Sequence, residues 1–103
     1  MCLTSNKFAT SVSDLRNHPA QHILAADHPI SVCTDDKGLF GVTLTDEFHT
    51  LDKLFDVGAA SLLRLSRKSA QYAFCDEDLK VRIDGYIEKA QSLLEQPTLD
   101  LKK

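Results

Sequence analysis

The sequence predicts an α/β fold, with two short strands in the first half of the chain and helices after them. Residues 1–5 begin with apolar side chains and end in Thr and Ser, and residues 30–34 form a short apolar run between Pro29 and two aspartates. A helix is predicted between these strands, over residues 19–26, because proline is favoured at the first helical position. The order strand, helix, strand predicts parallel pairing. Two strands rarely form a stable sheet alone, so a larger sheet is implied.

Three further helices are predicted in the second half. The first covers residues 44–55, because Thr43 and Asp46 have the spacing of a capping box and apolar residues follow at helical intervals. A glycine separates it from a second helix over residues 59–73, and a third occupies residues 76–97, between an N-capping aspartate and a proline. The first and third of these helices are expected to pack on each other.

The composition excludes several classes of function. The 103 residues are 43% hydrophobic and 26% charged, which is typical of one globular unit or part of one. Twelve basic and 15 acidic side chains give a net charge of -3 without blocks of like charge, so nucleic-acid binding is not expected. No apolar run approaches the roughly 18 residues of a membrane span, and residues 1–20 lack the pattern of a signal peptide. A cytoplasmic protein without membrane partners is expected.

Polar side chains follow both predicted strands. Residues 4–6 (Thr, Ser, Asn) follow the first, and Asp35 and Asp36 follow the second. Parallel α/β folds carry their functional groups at the C-terminal ends of strands. Two adjacent carboxylates there could bind a divalent cation or act as an acid–base group, or they could cap a turn before Gly38. The roles of the serine and asparagine, as substrate contacts or turn formers, stay open in the same way.

The four histidines give no strong metal-binding signal. His18 and His22 are four residues apart, but His18 precedes Pro19, which disfavours helical geometry at that position. His18 is predicted to cap or orient the short helix. His22, His28 and His49 are predicted to be surface or packing residues.

Several short motifs resemble the adenosine and AMP deaminase family. They occur in the family's order and spacing as residues 2–6 (CLTSN), His18-Pro19, residues 30–40 (ISVCTDDKGLF) and residues 44–48 (LTDEF). The resemblance continues weakly through residues 62–74 and covers about residues 1–90. Lys37 and Gly38 after the aspartates are similar to the adenosine deaminase-like branch, which removes the substituent from N6-methyl-AMP.

The resemblance implies a fold, an activity and roles for two residues. Residues 1–97 would be the C-terminal part of a (β/α)8 barrel, with its last two strands and closing helices, and residues 98–103 a polar tail. The activity would be Zn2+-dependent hydrolytic deamination of adenosine, AMP or N6-methyl-AMP, in which water attacks C6 and ammonia or an amine leaves. Asp35 matches the aspartate that ligates the zinc, and Asp36 matches the neighbour that hydrogen-bonds the purine ring.

The remaining parts of the family's site have no match in this sequence. The family's His-x-His pair, its later histidines and the glutamate that donates a proton correspond to positions upstream of Met1, so no catalytic proton donor is expected here. A catalytic zinc ion needs about three protein ligands. The chain is therefore expected to be a barrel segment, inactive without the N-terminal part of the barrel. The alternative is a non-catalytic binding or scaffold fragment that docks on another chain.

Overall fold

Helices dominate the computed structural model, which describes residues 1–9 and 13–96. Within those ranges no strand is assigned, and the predicted tail at residues 98–103 lies outside them. No helix in the described ranges is both long and apolar enough to cross a membrane. The described part of the chain has a 3-10 turn at Leu15–Asn17 and six α-helices: α1 (Leu3–Phe8), α2 (Ala20–Ala25), α3 (Lys37–Phe40), α4 (Leu44–Phe55), α5 (Ala59–Gln71) and α6 (Glu77–Glu95).

The predicted starts of α4 and α6 are confirmed. Thr43 Oγ1 accepts the backbone N–H of Asp46 at 3.1 Å, and the Asp46 side chain accepts the backbone N–H of Thr43 at 2.8 Å, which completes the capping box. At α6, the Asp76 side chain accepts the N–H of Leu79 at 3.0 Å. These short polar side chains satisfy N–H groups that have no partner within the first turn of a helix.

The strand predicted over residues 1–5 is wrong, because the chain enters helix α1 at Leu3. The N–H groups of Leu3 and Thr4 donate to the carboxylate of Glu47, which lies on α4. Those are the groups that a helix leaves unpaired in its first turn. A contact between residues 44 positions apart therefore favours a helix where the local sequence suggests a strand.

The segment at residues 30–34 is not assigned as a strand either. The nitrogen of Met1 donates to the carbonyl of Ser31 at 2.7 Å, and the N–H of Cys33 donates to the carbonyl of Met1 at 2.8 Å. Two such bonds on either side of Val32 are the pattern of a parallel pair. Because α1 begins two residues after Met1, the pairing does not extend into a ladder. The two segments run parallel, as predicted, but neither is assigned as a strand.

A small apolar core joins the first half of the chain to α4. Leu3, Ala20 and Leu51 are fully buried, and Val32 is 7% exposed. These residues come from α1, α2, α4 and the extended segment after α2. The core therefore joins α1, α2 and α4 to the segment that precedes the two aspartates.

Helix α6 packs mainly against α5, so the expected pairing of α6 with α4 is wrong. The short connection at residues 72–76 returns the chain directly along α5. Arg67 on α5 binds Asp84 through two guanidinium nitrogens, with Nη2 2.6 Å from Oδ2, and contacts Glu88 at 3.1 Å. The hydrogen bonds from Arg67 lower the pKa of Asp84. The ion pair therefore stabilises the packing of α6 on α5 at pH values above the ordinary aspartate pKa. This stabilisation is lost as the pH falls through the lower pKa that Asp84 has in the folded chain.

Much of the apolar surface is exposed. Within the described residues the buried hydrophobic side chains are Leu3, Ala20, Val32 and Leu51. Large hydrophobic side chains that are more than half exposed include Phe8, Leu39, Phe74, Val81 and Tyr86. The chain buries little hydrophobic area for its length.

We expect the isolated chain to be helical by circular dichroism but to melt broadly, to bind apolar dyes and to self-associate. The reason is that a small core offsets little of the conformational entropy, which costs roughly 1–2 kcal/mol for each ordered residue. Thermal melting followed by circular dichroism, dye fluorescence and sedimentation measures these properties. A sharp, reversible two-state melt from a monomer that binds no dye would contradict this account of the fold.

Candidate functional site

Asp35 has a strained backbone at the end of the extended segment. Its φ is 64°, in the left-handed region that non-glycine residues seldom adopt. Asp27 and Asp56 also have positive φ, but they follow the ends of α2 and α4, where this conformation is common. Asp35 follows no helix, so the surrounding structure must hold its conformation.

Ser5 restrains the carboxylate of Asp35. The Ser5 hydroxyl donates to Asp35 Oδ2 at 2.7 Å. Ser5 lies on α1 and is only 7% exposed, so it is neither a turn former nor an open rim group. Asp35 itself is exposed, and its Oδ1 has no hydrogen-bond partner within the described residues. One oxygen is thus fixed by the protein, and the other is available to a ligand.

Asp36 has a different local partner. Its Oδ1 accepts the backbone N–H of Leu39 at 2.9 Å, so Asp36 is the N-cap of α3. This is the capping role that the sequence leaves open. The two neighbouring aspartates therefore face different elements, with Asp35 bonded to α1 and Asp36 bonded to the first turn of α3.

His18 connects α1 to α2. Its Nδ1 accepts the N–H of Ala20 at 3.0 Å, and its Nε2 lies 2.8 Å from Oδ1 of Asn6. Since Nδ1 is an acceptor, this pattern assigns the proton of the neutral ring to Nε2, which donates to Asn6. Burial lowers the pKa of His18, which favours the neutral ring. The predicted role of His18 at the short helix is confirmed, and Asn6 is its partner.

Glu47 is a buried carboxylate that sequence reasoning misses. It is 0% exposed, and its Oε2 accepts the N–H of Leu3 at 3.0 Å. The N–H of Thr4 lies 3.3 Å and 3.4 Å from the two carboxylate oxygens. A buried carboxylate requires such donors, and the N-terminus of a helix also offers a favourable electrostatic potential. The signal in the sequence is its place on the apolar face of α4, three residues after Leu44 and four before Leu51.

The described residues do not complete a metal site. No group of three His, Cys, Asp or Glu side chains that could hold a metal ion occurs within residues 1–9 and 13–96. Asp35 offers one carboxylate, whereas catalytic zinc needs about three protein ligands. His22, His28 and His49 are exposed, as predicted. The role of Asp35 as a metal ligand therefore stays a prediction.

Comparisons with known proteins identify the family. The model of the adenosine deaminase family matches residues 1–90. This chain therefore belongs to the adenosine deaminase family. An adenosine deaminase-like protein of Drosophila pseudoobscura pseudoobscura is 30% identical over 95 residues, which cover 88% of this chain and 28% of that protein. Human N6-methyl-AMP deaminase is 30% identical over 80 residues, which cover 78% of this chain and 22% of that protein.

Solved structures agree with this assignment. The apo structure of N6-methyl-AMP deaminase from Arabidopsis thaliana matches with a TM-score of 0.86 at 26% identity, over 90% of this chain and 28% of that one. Arabidopsis ADAL complexed with IMP matches with a TM-score of 0.86 at 25% identity, over 90% of this chain and 27% of that one. The chain spans about a quarter of the length of these relatives. The family predicted from the motifs is confirmed, and members of the predicted branch are among the relatives that match.

We expect His18 to titrate below the value of about 6.5 for an unperturbed histidine, because burial disfavours its charged form. Because the pKa of His18 is lower in the folded than in the unfolded chain, its contribution to stability is fully present at pH values above the unfolded pKa. This contribution is lost as the pH falls through the folded pKa. Ring 13C and 15N chemical shifts, recorded against pH in native buffer and in urea, measure both midpoints and the tautomer. A native midpoint at or above the midpoint in urea would contradict this description.

Proposed function

We propose that residues 1–97 form the C-terminal segment of a (β/α)8 barrel and supply part of a zinc-dependent purine deaminase site. Membership of the family and the overlap with the Arabidopsis enzyme support this proposal. The parallel hydrogen bonds between Met1 and residues 31–33 suit two neighbouring barrel strands. The observation that carries the proposal is the bond from Ser5, which holds Asp35 with one carboxylate oxygen open.

Asp35 is proposed as a zinc ligand. Ionised aspartate is a suitable ligand, and the bond from Ser5 restrains the carboxylate before any metal binds. In such a site, the chemistry that bound zinc supplies is the acidification of a water molecule for attack at C6 of the purine. The contribution of this chain is to hold one carboxylate at a fixed place, at the end of the extended segment.

Asp36 is proposed to contact the purine ring. Its Oδ1 is held by the N–H of Leu39, so its position is set by the first turn of α3. A carboxyl group next to a zinc ligand can hydrogen-bond a ring nitrogen and orient the base for attack. The substrate class is adenosine, AMP or N6-methyl-AMP, and the names of the Arabidopsis and human relatives favour N6-methyl-AMP.

We expect the 103-residue chain by itself to deaminate neither adenosine nor N6-methyl-AMP when zinc is added. Asp35 is one candidate ligand where about three are needed, and no general acid is assigned in the chain. Chromatographic detection of inosine or IMP, in protein from a deaminase-deficient host, measures the activity. Turnover well above a control without protein would show that the chain holds a complete site.

A chimera tests the roles of the two aspartates. Residues 1–90 replace the matching segment of Arabidopsis N6-methyl-AMP deaminase, and zinc content and activity are measured for each variant. We expect Asp35→Asn to lose zinc and activity together, because it weakens a metal ligand. Asp36→Asn should keep zinc and lose about 10²-fold or more in kcat, because it removes a group that orients the base.

Asp56→Asn is the matched control, because Asp56 is exposed and also has a positive φ, but lies at the end of α4. It should leave zinc content and rate unchanged. Full zinc occupancy with near-normal activity in Asp35→Asn would refute the assigned roles. A folded chimera that binds no zinc would favour the alternative of a non-catalytic module that docks on another chain.

A further inference from the structure

We propose that Glu47 is a positioning residue for the aspartate pair: by holding the N-terminus of α1, it places Ser5 against Asp35. The proposal rests on the proposed function, because the position of Asp35 matters to chemistry only where Asp35 binds a metal. Three structural links carry it, and each can be tested without zinc or activity.

The first link joins α4 to α1. The N-cap residue of α1, Cys2, makes no capping hydrogen bond with its side chain. Glu47 supplies the acceptors instead, to the N–H groups of Leu3 and Thr4. A helix of six residues is too short to be stable alone. Its starting residue is therefore decided by this contact and by the burial of Leu3.

The second link joins α1 to Asp35. Ser5 directly follows the two residues that Glu47 binds, so its direction depends on where the helix begins. Each residue turns the helix by about 100°. If Glu47 bound the N–H groups one residue further along the chain, α1 would be rotated by about 100°, the Ser5 hydroxyl would point away from Asp35, and the bond of 2.7 Å would be lost.

The third link joins α1 to the element that carries Asp36. The rings of Phe8 on α1 and Phe40 on α3 are stacked, with their centroids 5.6 Å apart. Asp36 caps α3, so the position of α1 also bears on this second aspartate. Through one helix, Glu47 is connected to both aspartates.

The presence of a glutamate at position 47 indicates a role in positioning α1 rather than in packing the apolar core. Glu47 lies on the apolar face of α4, where a leucine would pack without burying a charge. Burying a carboxylate is unfavourable unless donors compensate it. Helix α4 already has its own capping box and the buried Leu51. The carboxylate is therefore explained by what it binds on α1.

The test compares Glu47→Gln and Glu47→Ala with wild type, using the full 103-residue chain. Amide hydrogen exchange and 15N chemical shifts are measured by NMR. We expect amide exchange at Leu3 and Thr4 to be faster in both variants than in wild type. The increase should be about tenfold or more in Glu47→Ala. It should be smaller in Glu47→Gln, which keeps one carbonyl acceptor. The Ser5 and Asp35 signals should shift in the same order, while α5 and α6 keep their native signals.

Asp46→Asn is the matched control, since it changes the neighbouring acidic residue on the same helix. Its effect should be confined to the first turn of α4, where Asp46 bonds to Thr43. The proposal is overturned if Glu47→Ala leaves the exchange of Leu3 and Thr4 and the Asp35 signal as in wild type. It is equally overturned if Glu47→Gln speeds exchange uniformly through all helices, because that result would mean a general role in stability. Neither outcome bears on whether Asp35 binds zinc.

Discussion

The buried carboxylate of Glu47 is the constraint on which the arrangement around the aspartates depends. Hydrogen bonds to charged groups contribute about 1.5–3 kcal/mol each, while burial of an ion costs several kcal/mol. The contact with α1 therefore offsets the cost of burying this carboxylate. What it provides is a geometry, because its donors are the N–H groups of Leu3 and Thr4 and no others within the described residues. The start of α1 and the direction of Ser5 follow from it.

Two adjacent aspartates acquire different properties from their surroundings. Asp35 is held by the Ser5 hydroxyl in a left-handed backbone conformation, whereas Asp36 caps α3. Two identical side chains thereby differ in their local partners, as the separate roles proposed for them require. The Asn6–His18 bond ties α1 to α2, so the helix that carries Ser5 is restrained at two points along its length.

Local signals predict much of the second half of the chain, and long-range contacts decide the first half. The capping box of Thr43 and Asp46 spans three residues and can be found in the sequence. The start of α1 cannot be found in this way, because it depends on Glu47, which is 44 positions away from Leu3. Asp35 and Asp36 could be selected as candidate site residues from the order of the family motifs. Capping by Asp36 spans three residues and was one of the alternatives in the sequence, whereas the bond between Asp35 and Ser5, 30 positions away, leaves no local pattern.

The most direct test of this account is the conformation of Asp35 in solution, in the chain on its own. An NMR measurement of its one-bond Cα–Hα coupling, together with cross-relaxation between Ser5 and Asp35 protons, reports backbone φ and proximity at once. The account predicts a positive φ at Asp35 and a close approach of Ser5 without any metal. A negative φ, with Ser5 far from Asp35 in a chain whose α1 is helical, would contradict it.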